Sequence, residues 1–479
     1  MKRRQFLTNT LYASAGAALG TGMMLPSSAF GVECSLPDMP RTLVNLMFYG
    51  GIDSRFVFMP APNHDEAIST AGYLAKLWAA RSVIYDSAYP DYASMFAAEY
   101  DLVVDPLSGD SLGIHKSCGW LRSQFEAGRV AVVANSFCSR NRRHDQSQLN
   151  ANAGAPAFDA LVYDRDGWGG RLVDALSGTA NTVELSHEIS VFGNGSTPGQ
   201  RLGRVIHAKN TRDIALPNVN PDWAVTDRRN VLTRALKSYY AARSQDSSQV
   251  PFSTFLQHNE AFREFGDEVK SRLDLCGPLP VELSGLDLNS HHFEQQCRNL
   301  FDLCLVPDTL GVRTVSMRYD GWDTHNVQHG RISSNLGDVF GAAGGLATAM
   351  GQIELLNGPS VNAADQLLFC VTSDFGRQLK ANGDRGTDHG RGLYTVLIGS
   401  DVVGGVYGEA FPEREALPDA NGKIPLETSG ADILGQTSTE RVLAEACEWM
   451  QPGSAAAVFP DAGSAGLEPG VSLNGLLAA

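Results

Sequence analysis

Acidic residues follow three short apolar runs of the chain, at the point where each run ends. Runs of this kind are typical of buried parallel strands. The polar residues that follow them and could bind a cation are Asp53, Asp323 with His325, and Asp374. Because ligands bind at the carboxyl ends of strands in open α/β sheets, these side chains are expected to meet at one edge. Carboxylates brought together there repel one another unless cations compensate them, so the pattern predicts a metal site.

A glycine-rich loop adds a further histidine to this set. His389 lies in the segment 382–390, directly before another apolar run at 393–398. With the carboxylates, His325 and His389 give a ligand set of oxygen atoms and imidazole nitrogens. Such a set suits zinc, manganese, magnesium or calcium rather than copper or an iron–sulfur cluster.

Each of these residues also has an ordinary structural explanation. A Gly-Gly-x-Asp turn after a strand often places its Asp as the cap of the next helix, which would account for Asp53. Asp323 and His325 could belong to a surface turn, and His389 could be a loop histidine with a satisfied hydrogen bond. The joint occurrence at the ends of successive predicted strands favours the metal site.

The composition excludes several classes of protein. The chain has 479 residues, with 38 Lys and Arg against 53 Asp and Glu, a formal net charge of −15, and 43% hydrophobic residues. These values exclude a disordered chain and a coiled coil. They also disfavour nucleic acid or anionic lipid as a partner, because such ligands bind clustered basic residues. No segment after the N-terminal one is long and apolar enough for a stable membrane span.

Alternating strand and helix patterns predict an α/β fold with a mostly parallel central sheet flanked by helices. The expected strands are 42–49, 130–133, 312–317, 367–372 and 393–398, and the expected helices are 227–242, 253–273 and 330–356. Residues 32–479 are expected to form a single domain. Within it, the segment 150–300 carries more helix than strand and is expected to form an insertion or cap over the sheet.

Residues 1–31 have the pattern of an export signal. Arg3 and Arg4 precede a weakly apolar stretch that contains glycines and ends near Leu25. This arrangement resembles a bacterial twin-arginine signal peptide, which exports proteins after they have folded. The twin-arginine translocase is then a partner during export, and the mature protein is expected in the periplasm or outside the cell. Its net charge would be −15 − 3 = −18, because Lys2 is removed with the two arginines.

The eight cysteines include no C-x-x-C pair, which argues against a zinc ribbon or a thioredoxin-like site. Export would permit disulfides. The pairings left open by the sequence are Cys118 with Cys138, and Cys276 with Cys297 or Cys304. Cys370 lies inside an apolar run, which favours a buried thiol over a bridge.

Several short motifs together resemble a known family of exported proteins. They are Gly50-Gly51-Ile52-Asp53, Gly321-Trp322-Asp323-Thr324-His325, Ser373-Asp374-Phe375-Gly376-Arg377 and Gly386-Thr387-Asp388-His389-Gly390. With the twin-arginine pattern, the combination resembles the DUF1501 family over residues 41–465. That family is similar to a divergent branch of the alkaline phosphatase and sulfatase superfamily. The resemblance implies an alkaline phosphatase-like fold and hydrolysis or transfer of phosphate or sulfate esters.

The resemblance also implies a ligand set for two divalent cations. The order of ligands along the superfamily's chains is matched here by Asp53, Asp323, His325, Asp374 and His389. On this analogy Asp53 and Asp374 hold one cation, and Asp323, His325 and His389 hold the other. The ions would be zinc, manganese, magnesium or calcium, and they would stabilise the attacking and leaving oxygens of a small anionic ester substrate.

The nucleophile is the point at which the sequence departs most from the family. The family motif Asn-x-Ser-His-Phe places Arg143 where a serine is expected, and an arginine that is always protonated cannot attack. His144 of the motif is retained. Ser139 is the expected substitute nucleophile, with Ser136 and Ser147 as alternatives.

Two further features bear on the chemistry of the predicted site. Arg140, Arg142 and Arg143 could instead clamp an anionic ester while a metal-bound hydroxide attacks, or they could form an exposed basic turn. Asp374 is followed by Phe375, where the superfamily often has histidine and the family typically has Glu-Phe. The metal site therefore has one imidazole fewer than the superfamily pattern.

These observations lead to three functional hypotheses. The first is an exported metal-dependent hydrolase of phosphate or sulfate esters. The second is a catalytically degenerate relative that acts as a binding or assembly module at the cell envelope. The third is a structural calcium protein, which would require about seven oxygen ligands around one ion and would make little use of His325 and His389. The sequence defines neither the substrate nor the oligomeric state.

Overall fold

The computed structural model describes residues 34–67, 72–176, 180–197, 205–213, 265–462 and 470–478, together with isolated positions between 226 and 242. The predicted signal peptide lies outside these residues. Most of the predicted helix 227–242 and the first part of the predicted helix 253–273 also lie outside them. The chain from Ser35 onward forms one compact unit.

The protein has a mixed α/β fold with a large, mostly parallel central sheet flanked by helices. Its strands are β1 (Thr42–Phe48), β2 (Phe58–Pro60), β3 (Tyr100–Val104), β4 (Ser111–His115), β5 (Val130–Phe137), β6 (Asn181–Glu184), β7 (Val205–His207), β8 (Val312–Tyr319), β9 (Leu367–Ser373), β10 (Gly376–Ala381), β11 (Thr387–Gly390), β12 (Leu393–Ile398), β13 (Gly405–Tyr407) and β14 (Thr437–Ser438).

The α-helices are distributed along the whole chain and are referred to by their residue ranges. They are Ser54–Val57, His64–Ala67, Tyr73–Arg81, Tyr92–Glu99, Gly119–Glu126, His144–Ala153, Trp168–Ala175, Val281–Ser284, His291–Leu305, Pro307–Leu310, Gln328–Phe340, Gly345–Ile353, Thr439–Met450 and Ala455–Val458. Residues 265–276 are also helical. None of the helices in the described part of the chain has the length and apolar character needed to cross a membrane.

The central sheet has the order β13-β5-β12-β9-β1-β8-β6-β7, and β14 also pairs with β5. Its pairings are parallel except those of β12, which is antiparallel to both β5 and β9. Phe48 of β1 lies opposite Tyr319 of β8 and Ser373 of β9, so these three strands end level with one another. Leu393, the first residue of β12, pairs with Ser136 near the end of β5. One edge of the sheet therefore collects the ends of four strands and the start of β12.

The central sheet is buried on both faces, which explains why its strands read as continuous apolar runs. In β1, Val44 and Leu46 pack into one core cluster, whereas Leu43 packs into another. Helices His291–Leu305 and Gln328–Phe340 contribute to the first cluster, and helix Thr439–Met450 contributes to the second. Burial of each such aliphatic side chain stabilises the fold by about 1.5–3 kcal/mol. The loops at the sheet edge are consequently mounted on a rigid support.

All five predicted strands are confirmed, although β5 continues four residues beyond the prediction to Phe137. The predicted helix 330–356 is wrong as one element, because it is divided into Gln328–Phe340 and Gly345–Ile353. The described part of the segment 150–300 supplies strands β6 and β7 to the central sheet as well as helices. A cap over the sheet stays a prediction.

The cysteines differ from the pairings that the sequence left open. Cys34 and Cys276 are disulfide-bonded. Cys118, Cys138, Cys297, Cys304, Cys370 and Cys447 are free and buried. The predicted pairings, Cys118 with Cys138 and Cys276 with Cys297 or Cys304, are therefore wrong. The thiols of Cys118, Cys297 and Cys304 pack into the core, and that of Cys138 donates to the carbonyl of Ser373 at 2.9 Å. The buried thiol expected at Cys370 is confirmed.

Candidate metal centre

Three imidazoles surround the carboxylate of Asp323 at the edge of the sheet where the strands end. His325 lies two residues beyond Asp323 in the loop after β8, His389 lies in β11, and His144 begins the helix after β5. The Nε2 atoms of His325 and His389 lie 3.0 and 3.1 Å from Asp323 Oδ1, and His144 Nε2 lies 3.5 Å from Asp323 Oδ2. We refer to Asp323, His144, His325 and His389 as the strand-end cluster.

The second ring nitrogen of each histidine is held by a group that can only accept a hydrogen bond. Nδ1 of His144 lies 2.8 Å from Asp374 Oδ2, and Nδ1 of His325 lies 2.9 Å from Asp388 Oδ1. Nδ1 of His389 lies 3.0 Å from the carbonyl oxygen of Arg142. Each Nδ1 must therefore carry the proton, and in a neutral ring Nε2 is left with a bare lone pair.

Bare lone pairs consequently face one another in the strand-end cluster. The Nε2 atoms of His325 and His389 are 2.9 Å apart, and both face Asp323 Oδ1. No proton is available between them unless one ring becomes doubly protonated, and burial lowers the pKa of His389, which disfavours that state. The triangle of 2.9, 3.0 and 3.1 Å matches the roughly 3.0 Å between adjacent ligands of an octahedral ion with bonds of about 2.1 Å. The residues fit a divalent cation.

Arg377 fixes Asp323 and joins the loops around it. Its guanidinium donates to Asp323 Oδ1 at 2.7 Å, to the carbonyl of Trp322 at 2.9 Å, to that of Gly51 at 2.8 Å and to that of Thr387 at 2.9 Å. Burial favours the neutral form of Asp323, but the hydrogen bond and the positive charge of Arg377 outweigh it and lower the pKa of that carboxyl to about 2. Asp323 is therefore an anion at neutral pH.

The charges of the site favour a dication. Asp323, Asp374 and Asp388 contribute three negative charges and Arg377 contributes one positive charge, which leaves −3 + 1 = −2 with neutral histidines. A divalent cation would compensate this charge without protonating any ring.

Asp374 lies within the same site and holds His144 in place. Its side chain is fully buried, and its Oδ1 accepts from the backbone N–H groups of Gly50 and Phe375, each at 3.2 Å. Its Oδ2 accepts from His144 and from Gln148 Nε2. The bond to Asp374 raises the pKa of His144. With both oxygens occupied by donors, Asp374 acts as an orienting carboxylate for an imidazole.

Asp53 has a different set of partners. It is 1% exposed, forms an ion pair with Arg81, and accepts from Gln328 Nε2 at 2.6 Å. It also caps the helix Ser54–Val57 through the N–H of Arg55, as the alternative explanation from sequence expected. The resemblance implied that a cation between Asp53 and Asp374 compensates the charge of both carboxylates. At Asp53, the guanidinium of Arg81 compensates that charge.

Two of the three predicted catalytic residues lie outside the strand-end cluster. Ser139 is 1% exposed, and its Oγ accepts from Asn141 N and Asn150 Nδ2, both at 3.3 Å. Arg143 is exposed and pairs with Asp145 at 2.7 Å. His144 lies within the cluster. The assignment of Ser139 as nucleophile stays a prediction.

Glycines permit the close approach of the loops. Gly50 has φ +123°, and a Cβ there would lie 2.4 Å from the backbone nitrogen of Asp323. A Cβ on Gly386 would lie 2.3 Å from the carbonyl carbon of His325. The predicted Gly-Gly and Gly-rich motifs are therefore required by sterics at these positions.

Sequence reasoning missed Arg377, Asp388 and Arg81 as parts of the site. Arg377 and Asp388 stand inside motifs that had been noted, so their position was a signal that could have been used. Arg81 lies in a helix 28 residues after Asp53 and no motif marks it.

A second group of histidines and a carboxylate lies elsewhere in the protein. Glu99 Oε1 is 3.1 Å from His329 Nε2, and its Oε2 is 3.4 Å from His115 Nε2. Tyr89 donates its hydroxyl to the same carboxylate. We refer to Glu99, Tyr89, His115 and His329 as the Glu99 cluster. No motif in the sequence drew attention to it.

The fold and site together define a mostly parallel α/β protein whose strand ends converge on a histidine–carboxylate cluster. A family model described as "Protein of unknown function (DUF1501)" matches residues 162–414, which is 253 of the 479 residues. The chain belongs to the DUF1501 family. The matched range includes Asp323, His325, Asp374 and His389 but not His144.

Other comparisons give weaker likenesses. Among curated proteins, none matches the chain. Among solved structures, the chain is similar to a 2-O GAG sulfatase at 10% identity and a TM-score of 0.22, with 79% of this chain and 67% of that one covered. It is also similar to a putative sulfatase from Bacteroides thetaiotaomicron VPI-5482 at 10% identity and a TM-score of 0.19, with 76% and 65% covered.

Proposed function

We propose that this protein is an exported metal-dependent hydrolase of phosphate or sulfate esters. The observation that carries the proposal is the convergence of His325 Nε2, His389 Nε2 and Asp323 Oδ1 within 2.9–3.1 Å of one another while both Nδ1 atoms donate outward. Two imidazoles and one carboxylate on one face of an ion leave its other positions open, as a catalytic site requires. These three residues would hold one divalent cation.

A bound cation would supply a Lewis acid for the ester oxygen and would lower the pKa of a bound water. Arg377 and Asp388 keep Asp323 and His325 in the geometry for binding. His144 is partly exposed and lies beside the three ligands, so its Nε2 is placed to exchange a proton with the nucleophile or the leaving group. Asp374 keeps the Nδ1 proton on the opposite side of that ring.

The rim of the site carries guanidinium groups suited to an anionic ester. Arg142 and Arg391 both bond to Asp432 Oδ2, at 2.8 and 3.2 Å, so one carboxylate compensates two positive charges. Arg143 is exposed one residue before His144. The excess positive charge favours an ester that carries negative charge, and bidentate contacts from arginine match the oxygens of phosphate or sulfate.

A second cation at Asp53 and Asp374 would have to displace Arg81 and Gln328 from Asp53. We therefore propose one cation per chain, and zinc or manganese fits the mixed nitrogen and oxygen ligands best. Export is supported by the disulfide-bonded state of Cys34 and Cys276, which is typical of oxidising compartments.

The test is metal analysis of the purified protein followed by hydrolysis assays with aryl phosphate and aryl sulfate esters. We expect about one divalent cation per chain in the wild type, and the loss of both the cation and hydrolysis in Asp323→Asn. Asp320→Asn is the matched control, because Asp320 has the same 46% side-chain exposure as Asp323 and also pairs with an arginine. A wild-type protein that binds no divalent cation under any loading condition would exclude the proposal.

The second candidate function is a catalytically degenerate relative that acts as a binding or assembly module at the cell envelope. The burial of Ser139 and its hydrogen bonds to Asn141 and Asn150 favour this candidate, since they engage the Ser139 hydroxyl within the protein. Stoichiometric metal binding without turnover of any ester in a broad panel would support it. Turnover that is abolished in Ser139→Ala would exclude it.

A further inference from the structure

Gln328 joins the loops that carry the proposed ligands. Its side chain is fully buried, and its Oε1 accepts from Thr387 Oγ1 at 2.6 Å and from Thr324 Oγ1 at 3.3 Å. Thr324 adjoins His325, and Thr387 lies two residues before His389. A displacement of Gln328 would therefore move both proposed histidine ligands.

The residue before Gln328 has a strained backbone. Val327 has φ 45° and ψ 42°, a left-handed conformation that is unfavourable for a β-branched residue. It lies between His325 and the helix Gln328–Phe340, and the residue is 48% exposed. Such a conformation persists only where the flanking structure is held on both sides. On the side of Val327 that leads back to β8, Arg377 holds Asp323 and Asp388 holds His325. The side that leads into the helix Gln328–Phe340 therefore requires an anchor of its own.

The Glu99 cluster supplies an anchor at the first turn of that helix. His329, the residue after Gln328, bonds through Nε2 to Glu99 Oε1 at 3.1 Å. The Glu99 carboxylate also accepts hydrogen bonds from His115 and Tyr89. Hydrogen bonds from His115 and then His329 lower the pKa of Glu99, so it is an anion that accepts from three donors.

We propose that Glu99 is a positioning residue for the metal site: by holding His329 it keeps Gln328 and the strained Val327 in the geometry that presents His325 to His389. The proposal rests on the proposed metal function of the strand-end cluster. Glu99 itself does not contact the proposed ligand atoms. Its effect would pass through His329 to the adjacent Gln328. Gln328 in turn bonds to Thr324 and Thr387, which lie beside the proposed ligands.

The first experiment measures the Kd for Co²⁺ and the visible absorption spectrum of the Co²⁺ complex in Glu99→Gln. We expect binding about fivefold to tenfold weaker than in the wild type and a changed spectrum. This loss is smaller than the roughly 10–100-fold loss typical of groups that hold the ligands directly, because Glu99 acts through His329 and Gln328. His115→Phe is the matched control, because it removes another member of the Glu99 cluster and leaves the contact between Glu99 and His329. We expect its Kd to stay within about twofold of the wild type.

The second experiment asks whether strain at Val327 transmits the effect. In a Val327→Gly background, which removes the strain, Glu99→Gln is expected to change the Kd by less than about twofold. An unchanged Kd in Glu99→Gln would overturn the proposal, and so would an equal loss in His115→Phe or a full loss that persists in the Val327→Gly background.

Hydrogen exchange of the metal-free protein separates this proposal from the proposed function. Glu99→Gln is expected to speed exchange at the backbone N–H groups of Val327 and Gln328, which donate to the carbonyls of Asp384 and Arg385. If the wild type binds no cation, the proposed function fails, and this measurement still shows whether Glu99 holds the segment. Unchanged exchange there would overturn the positioning role.

Discussion

The strand-end cluster and the Glu99 cluster are built from the same residue types but differ in where their protons lie. In each, histidine nitrogens and a carboxylate oxygen lie within 4.8 Å of one another. In the strand-end cluster every Nδ1 donates outward, to Asp374, to Asp388 or to a backbone carbonyl. In the Glu99 cluster, His115 Nδ1 accepts from the N–H of Ser117 at 3.2 Å, so its proton lies on Nε2 and points at Glu99.

This difference teaches that the partner of the second ring nitrogen decides between a metal site and a hydrogen-bonded network. A carboxylate or carbonyl behind the ring leaves a lone pair in front of it, which requires a cation. An N–H group behind the ring leaves a proton in front, which satisfies a carboxylate directly. Proximity of histidine and acidic side chains alone does not distinguish the two outcomes.

The largest expected effect is that of Asp323→Ala on metal binding. It removes the carboxylate that faces the Nε2 atoms of His325 and His389, so affinity for Zn²⁺ is expected to fall by more than about 1,000-fold, or about 4 kcal/mol. Isothermal titration calorimetry of the metal-free proteins measures this. Asp320→Asn should bind as the wild type does, and a similar loss in that control would contradict the assignment.

Removal of the metal is expected to loosen one cluster and leave the other unchanged. At a free metal concentration about 100 times the Kd, binding stabilises the folded state by about 2.7 kcal/mol. Chelation should therefore speed hydrogen exchange in residues 320–326 and 384–390, whereas residues 97–100 and 113–117 around the Glu99 cluster keep their protection. Equal loss of protection in both regions would remove the distinction.

His115→Phe is expected to lower stability without affecting the metal. The substitution keeps an aromatic ring against Phe56, whose centroid lies 4.9 Å away, but leaves the N–H of Ser117 without its acceptor and Glu99 without one donor. The free energy of unfolding should fall by about 2 kcal/mol. Urea denaturation of the metal-free protein measures it, and an unchanged midpoint would show that the hydrogen bonds contribute nothing.

Asp388→Asn is expected to have the smallest effect of the four. The amide still accepts a hydrogen bond from His325 Nδ1, but it no longer provides a negative charge behind the ring. We expect about tenfold weaker Zn²⁺ binding, or about 1.4 kcal/mol. The control is Asp384→Asn, which changes an exposed aspartate in the turn before β11. Identical affinity in the two variants would show that Asp388 does not orient the ligand.

The sequence was informative about the strands and about the edge at which they end. Five apolar runs identified five strands of the central sheet, because a strand buried on both faces has a continuous apolar pattern. The same pattern misled at 330–356, where apolar spacing continues through a break in the helix. A Cβ on Gly341 would lie 2.4 Å from the carbonyl oxygen of Gly337, so that glycine permits a backbone path that periodicity does not reveal.

The partners of the charged side chains were the part of the site that the sequence revealed least. Asp53 and Asp374 were expected to share a cation, yet Arg81 compensates the first and backbone N–H groups and His144 surround the second. Arg81 approaches Asp53 through the packing of a separate helix, which local motifs do not encode. Ligand type could be read from the motifs, whereas compensation of charge depended on contacts between distant segments.

The antiparallel strand β12 also has a consequence for how the protein acquires a cation. Because β12 enters the sheet at the edge where its neighbours leave, we expect His389, which lies just before β12, to reach the site only after β12 has inserted between β5 and β9. The cluster joins residues 389 − 144 = 245 positions apart, and such distant pairings form late in folding. A cation should therefore slow unfolding and leave the rate of folding unchanged, which stopped-flow measurements with and without Zn²⁺ would show.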